Sequence, residues 1–413
     1  MAPDRGEIVA EAAAGQSQQL EPSLHAKEHE ICAPDPARAS TQSPGSNIPP
    51  HLSHDPTTNA KVSDPFQFGN RFLTENHDPF EYNAWDHVEP DAEYEAYALE
   101  QFAKQRDSPV SDFDKHRFND KPEKWWDLFY KQKSATFFKD RKWLGQEFPV
   151  LKDVTRAEGG RKVVLEVGAG AGNTAFPIMR ANENDMLEMW AVDFSKKAVE
   201  VMRSAEDYGD TVGVPGSDSG ERQQKRGTMR AEVWDVAGDE LPDGLSGGSV
   251  DIVIMIFIFS ALSPRQWTRA VQNIHRLLKP GGEVLFRDYG RGDLAQVRFK
   301  AGRYMEENFY VRGDGTRVYF FEKEELARIW VDGTVSTAAP ASQPSSIQNG
   351  LVRAGAAEAK AECAEDRTSV SELFTVVNLD VDRRMIVNRQ RRLKMYRCWI
   401  QGQFKKREDG CSR

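Results

Sequence analysis

The residues best placed to do chemistry in this chain are acids and glycines set at a fixed rhythm. Gly168, Gly170 and Gly172 alternate just after Glu166, and single carboxylates follow at Asp193 and Asp235. Alternating glycines let the backbone turn sharply and then approach a ligand with no Cβ in between. A carboxylate about 20 residues further on can accept from both hydroxyls of a ribose. The spacing is G-x-G-x-G, whereas a dinucleotide fingerprint needs G-x-G-x-x-G. It leans toward S-adenosylmethionine rather than a nicotinamide cofactor, with Asp235 suited to an adenine amino group.

Such a turn alone equally suits an α/β domain with no nucleotide, so the elements that position it decide the matter. A short apolar strand over 163–167 leads into the glycines, and a helix resumes after them. Residues 189–192 read as a second strand ending in Asp193, and 231–234 as a third ending in Asp235. Residues 250–259 are almost continuously apolar, as a central parallel strand must be. Ser263-Pro264 opens a helix through Leu278, Lys279-Pro280-Gly281-Gly282 ends it, and 283–286 form the fifth strand. Arg287 and Asp288 then lie at the ligand-facing end, where a transferred methyl group would meet its acceptor. Terminal strands over 373–379 and 395–404, antiparallel at the edge, complete a seven-stranded sheet. The expected fold class is α/β, Rossmann-like, of the class I S-adenosylmethionine-dependent methyltransferase type.

The remaining composition limits the alternatives. With 413 residues and 39% hydrophobic content the chain can bury one substantial core, while a mean hydropathy of -0.63 leaves much of it unpacked. A net charge of -9 argues against indiscriminate binding to nucleic acid or anionic membrane. Cys32, Cys363, Cys398 and Cys411 show no pairing or metal-ligand spacing, which points to a reducing compartment and no metal. No membrane span and no presequence is legible, and the expected location is the cytoplasm. Residues 1–60 read as a disordered tail, 61–124 as an N-terminal extension, and 125–408 as the methyltransferase domain, with flexible insertions near 207–225 and 333–369.

Aromatics and bases recur outside the catalytic strands. Residues 65–85 interleave aromatics with Asn, Arg and His, which suits stacking on single-stranded nucleic acid as well as a cap packed on the core. Trp126 and Tyr130 sit four apart on one helix face and could close over the cofactor. Lys139 and Arg141 follow among further aromatics. Residues 293–305 are expected to form a helix whose basic face carries Arg298, Lys300 and Arg303. Arg391 and Arg392, with Arg383, Arg384 and Arg389 nearby, form either a phosphate-binding loop or a solvated hairpin.

Several linked motifs carry a resemblance: Trp126-Asp127-Leu128-Phe129-Tyr130, Phe137-Phe138-Lys139-Asp140-Arg141-Lys142-Trp143-Leu144, Asp193-Phe194-Ser195, Phe286-Arg287-Asp288-Tyr289-Gly290 and Asp314-Gly315-Thr316-Arg317. Together they resemble the tRNA N3-methylcytidine methyltransferases over roughly 65–330 and the final strands. Phe68-Gly69-Asn70-Arg71-Phe72-Leu73 and Asn83-Ala84-Trp85-Asp86 are similar to the branch acting on cytosine 32 in the anticodon loop of threonine tRNAs. The resemblance implies cofactor contact from Trp126, Tyr130, Gly168, Asp193, Asp235, the backbone of Val236, and Ile256, and the glycine turn itself adds Glu166 and Gly170 to the expected cofactor site. The resemblance also implies that Arg287 and Asp288 border the target base; because the methylated base is a cation, Asp288 is expected to favour the developing positive charge and Arg287 to position a phosphate or base oxygen. Lys139, Arg141, Arg298, Lys300, Arg303, Arg391 and Arg392 would touch the tRNA anticodon stem-loop, and 61–124 would bind it too. A helper such as a tRNA synthetase is compatible with this reading. Asp235-Val236-Ala237 departs from the family's more usual Asp-Leu-Thr. A small-molecule or protein methyltransferase, or a non-catalytic S-adenosylmethionine-binding partner subunit, stays open as an alternative.

Overall fold

The computed structural model describes residues 71–133, 137–211, 227–333 and 372–408. The expected tail over 1–60, and most of both expected insertions, lie outside the described residues. In chain order the strands are β1 (Ala84–Asp86), β2 (Lys162–Val167), β3 (Leu187–Asp193), β4 (Thr228–Val233), β5 (Val250–Ile256), β6 (Leu278–Tyr289), β7 (Tyr304–Glu306), β8 (Phe309–Val311), β9 (Arg317–Tyr319), β10 (Phe374–Asn388) and β11 (Leu393–Lys406). One eight-stranded sheet runs β1-β10-β11-β6-β5-β2-β3-β4, and a small antiparallel sheet runs β7-β8-β9.

The strands from β2 to β6 pair in parallel, which follows from their sequences. Val164, Leu165, Ile254 and Met255 are fully buried, and only strands covered on both faces tolerate such unbroken apolar runs. Helices supply the cover. The helix Pro264–Leu277 starts on a capping box between Ser263 and Gln266, with proline at its first turn, and buries Trp267, Val271 and Ile274.

β11 returns antiparallel to β6, and β10 antiparallel to β11, completing the seven expected strands. The N-terminal extension adds the eighth. β1 pairs with β10 through Ala84↔Ile386, Trp85↔Met385 and Asp86↔Arg384. Trp85 is buried against Met385, Val387 and Tyr396, and its indole N–H donates to Pro79 O at 2.7 Å. Removing roughly 150–250 Å² of tryptophan surface from water stabilises this join by about 4–6 kcal/mol as an upper bound. The extension is thus built into the sheet rather than appended to it.

Four local expectations are corrected. The fourth strand stops at Ile256, because Phe257 takes a left-handed φ of 59° and turns the chain. β6 begins at Leu278 itself, and residues 279–282 are looped out between the pairs Val250↔Leu278 and Ile252↔Glu283. The terminal strands are much longer than 373–379 and 395–404. Arg383 and Arg384 therefore lie inside β10, and only Arg389, Arg391 and Arg392 remain at the turn. Residues 293–305 do not form one helix. A single turn, Leu294–Val297, is capped by Asp293, after which Phe299 stacks on Tyr310 at 4.7 Å and Gly302 takes a φ of 72°. Arg298, Lys300 and Arg303 consequently share no helical face; the aromatic stack outweighs helical propensity here.

Candidate functional site

A cavity of about 650 Å³ opens at the carboxyl ends of β2, β3, β5 and β6, where open α/β sheets take their ligands. Its floor is the glycine turn. Gly168, Gly170 and Gly172 have φ values of 68°, 60° and 84°, a region other residues enter only with strain. A Cβ on Gly170 would lie 2.3 Å from the Tyr130 hydroxyl, and one on Gly168 would lie 2.6 Å from Ile258. The helix Pro122–Lys133 sets Trp126 and Tyr130 over this turn, their rings stacked with centroids 6.2 Å apart.

Two acids hold the turn from below. Glu166 is buried, and its Oε2 accepts from Ala175 N at 3.0 Å. Asp193 lines the cavity, its Oδ2 accepting from Gly170 N and its Oδ1 from Ser195 N, both at 2.9 Å. Desolvation raises the Glu166 carboxyl to about 7 and the Asp193 carboxyl to about 6, against the opposing pull of these hydrogen bonds. Each Asp193 oxygen keeps a further lone pair for a ligand.

Arg141, expected to touch tRNA, lines the cavity with 15% of its side chain exposed. It donates to Thr174 Oγ1 at 2.8 Å and pairs with Glu166 at 3.5 Å. The buried Glu166 carboxylate accounts for this orientation. Lys139 lines the cavity mouth and is exposed.

Ile256 also lines the cavity, but Asp235 and Val236 do not. β4 ends at Val233, and Trp234 turns into the core, its indole N–H donating to Glu240 O at 2.9 Å. Asp235 is exposed beyond that bend, and Val236 O accepts from Asn273 Nδ2 at 2.9 Å.

Arg287 and Asp288 separate, because alternate strand residues face opposite sides. Arg287 faces the cavity and is 5% exposed. It donates through Nη2 to Asp382 Oδ2 at 2.8 Å and through Nη1 to Gln401 Oε1 at 3.0 Å. Its guanidinium carbon lies 4.8 Å from the Trp399 ring centroid and 5.4 Å from that of Trp143. Asp288 lies off the cavity with no exposure. It accepts from Ser260 N and Tyr289 N, both at 2.8 Å, and burial raises it to about 6. It thereby fixes the turn after β5, whose Phe257, Ile258 and Ala261 line the cavity.

The terminal hairpin supplies the opposite wall, through Asp382, Arg384, Arg397 and Trp399, and the extension adds Asp86. Of these, Asp382, Arg397 and Trp399 escape sequence reasoning. The one signal for Asp382 is the alternation of Asp380, Asp382 and Arg384 in β10, the period that puts side chains on one face. Beyond Trp399↔Tyr289 the hairpin continues past the end of β6, so its tip stands on the cavity side of the sheet. The tip carries exposed Arg391 and Arg392, the latter 4.1 Å from the Phe80 ring centroid. Arg298 and Lys300 are exposed, and Arg303 is half-buried.

The sheet order, the glycine turn, Asp193 at the second strand end and the cavity at the carboxyl edge define a Rossmann-like S-adenosylmethionine-dependent methyltransferase. Residues 141–332 match the family model described as a methyltransferase domain. The chain is 40% identical over 339 residues to a tRNA N3-methylcytidine methyltransferase of Schizosaccharomyces pombe, covering 82% of this chain and 92% of that protein. It is 38% identical over 340 residues to a Drosophila melanogaster tRNA N3-methylcytidine methyltransferase, covering 82% and 88%. It is 43% identical over 342 residues to the Saccharomyces cerevisiae tRNA(Thr) (cytosine(32)-N(3))-methyltransferase, covering 82% of this chain but 46% of that longer protein. The chain belongs to the tRNA N3-methylcytidine methyltransferase family. Among the described residues no helix is long and apolar enough to cross a membrane, and no cluster of acids, His and Cys could hold a metal ion.

Proposed function

We propose that this chain forms N3-methylcytidine at position 32 of the anticodon loop of threonine tRNA, in the cytoplasm. One observation carries the reading. A single cavity joins a glycine turn and a ribose-type carboxylate on one wall to an aromatic and cationic acceptor side on the other, Arg287 between Trp143 and Trp399. Substrate class and position follow from the named activities of the relatives.

The residues fit S-adenosylmethionine. Gly168 and Gly170 leave a cradle that a Cβ would fill, and Asp193 offers acceptors to a vicinal diol. Trp126, Tyr130 and Ile256 complete the apolar walls and Arg141 lines the cavity beside them, while Glu166, which does not line it, braces the turn from beneath. When bound, the cofactor supplies a methyl group on a sulfonium centre. Cytosine N3 carries a free lone pair, so the protein needs no base to deprotonate it. Its task is to hold an unpaired base, exclude water and align N3. Exposed Lys139, Arg298, Lys300, Arg391 and Arg392 face the tRNA backbone in this reading, and the extension over 61–124 contributes to tRNA binding.

Asp193 must be ionised to accept from the ribose. Cofactor affinity is therefore expected to fall below about pH 6, by up to about tenfold per pH unit. Stability of the free protein runs the other way. A carboxyl raised in the folded state favours folding at low pH, and that contribution is lost as pH rises from about 4 through 6. Titration calorimetry with S-adenosylhomocysteine and melting curves between pH 4 and 7 should show these opposite slopes.

The activity itself is tested by methyl transfer from labelled S-adenosylmethionine to total tRNA lacking the modification, followed by nucleoside analysis of purified threonine, serine and arginine tRNAs. Label as N3-methylcytidine in threonine tRNA is the expected result. Cofactor binding without any labelled tRNA, even with the threonine tRNA synthetase added as helper, would favour a small-molecule methyltransferase.

A further inference from the structure

Five carboxylates line the cavity, and four are committed or exposed. Asp193 accepts from two backbone amides of the glycine turn and its neighbour. Asp86 has Oδ1 3.3 Å from Arg384 Nε and accepts from Arg71 N through Oδ2. Asp140 divides its oxygens between Arg180 and Asn173. Asp314 is exposed and braces its own turn through Thr316. Asp382 differs. It is 6% exposed, Arg287 engages its Oδ2, and its Oδ1 lies 4.0 Å from His87 Nδ1, beyond hydrogen-bond reach.

We infer that Asp382 reads the exocyclic amino group of the target cytosine, accepting one N4 hydrogen through Oδ1 while Oδ2 stays on Arg287. The inference rests on the proposed reaction at cytosine N3. Beside N3, cytosine presents an amino donor where uracil presents a carbonyl acceptor. A buried carboxylate therefore favours the first and repels the second. Methylation at N3 leaves the base cationic, with charge shared onto N4, so the same contact strengthens as charge develops. That is the role the sequence suggested for Asp288, which the fold turns off the cavity. Trp143 and Trp399 flank the guanidinium of Arg287 and hold the pair in place.

The test compares kcat/KM of the full chain on threonine anticodon stem-loops carrying cytosine or 2-pyrimidinone at position 32, for wild type and Asp382→Asn. Removing the amino group weakens N3 as a nucleophile for both enzymes, and that effect cancels in the ratio. Asparagine can still offer its oxygen to Arg287 while turning an N–H toward the base. The preference for cytosine is expected to shrink by about 10- to 100-fold in the variant. An unchanged ratio overturns the inference and leaves the proposed reaction standing. A wild-type enzyme that forms no N3-methylcytidine overturns both. Should Asp382→Asn fail to fold, wild type bound to S-adenosylhomocysteine and a stem-loop labelled with ¹⁵N at the amino group gives the answer. One amino proton shifted downfield of the free loop supports the contact, and two unshifted protons overturn it.

Discussion

Valine at Gly170 is expected to abolish methyl transfer, with affinity for S-adenosylhomocysteine reduced at least about a hundredfold. Two costs combine. Gly170 has a φ of 60°, where a β-branched residue is strained by roughly 1–2 kcal/mol or more. Its Cβ would also lie 2.3 Å from the Tyr130 hydroxyl, so the ring above the cradle must move. Tyr130 is buried against Phe129 and Trp126, and cannot shift without disturbing that cluster. Gly302→Ala separates the two costs. Gly302 has a φ of 72° with nothing within 4 Å of an added Cβ, so alanine there should cost about 1 kcal/mol of stability and leave cofactor affinity unchanged. Calorimetric titration of both variants checks the pair. Binding by Gly170→Val within threefold of wild type would remove the glycine turn from the cofactor site.

The half of the cavity carried by local pattern was legible in the sequence. The glycine turn, Asp193 at a strand end and the stacked Trp126 and Tyr130 each follow from spacing within one element and its neighbour. The acceptor half was not, because it is built from register. Asp382 reaches Arg287 across 95 positions of sequence and Asp86 reaches Arg384 across nearly 300; no periodicity reports which residues two distant strands place together. Arg287 was found for its position at a strand end, yet its neighbour Asp288 was assigned to the same site, although a strand turns adjacent side chains to opposite faces. Arg141 was assigned to tRNA contact by resemblance alone. Only the fold shows that the buried Glu166 lies beneath it.

Methionine at Arg287 is expected to destabilise the protein by about 3–5 kcal/mol, and Arg287→Met combined with Asp382→Asn to recover most of that loss while remaining inactive. Arg287 and Asp382 are 5% and 6% exposed and joined at 2.8 Å. Taking both charges out of water is costly, and their attraction roughly offsets that cost. Removing one partner leaves a carboxylate buried without its cation, which is where the large penalty arises. Replacing both removes the uncompensated charge, and the aromatic walls of Trp143 and Trp399 accept the methionine side chain at similar volume. The recovery distinguishes a buried charge from lost packing, since lost packing would be additive across the two substitutions. Urea denaturation of wild type, both single variants and the double variant measures the coupling. An Arg287→Met cost below about 1 kcal/mol would mean that Asp382 is relieved by water or by a proton. The pair would then be no fixed platform for a base. A large cost without recovery in the double variant would place the energy in the Trp143–Arg287–Trp399 stack instead. A large single cost with recovery, and no methyl transfer in either variant, makes the ion pair both the joint that locks the terminal hairpin to β6 and the surface the acceptor base meets.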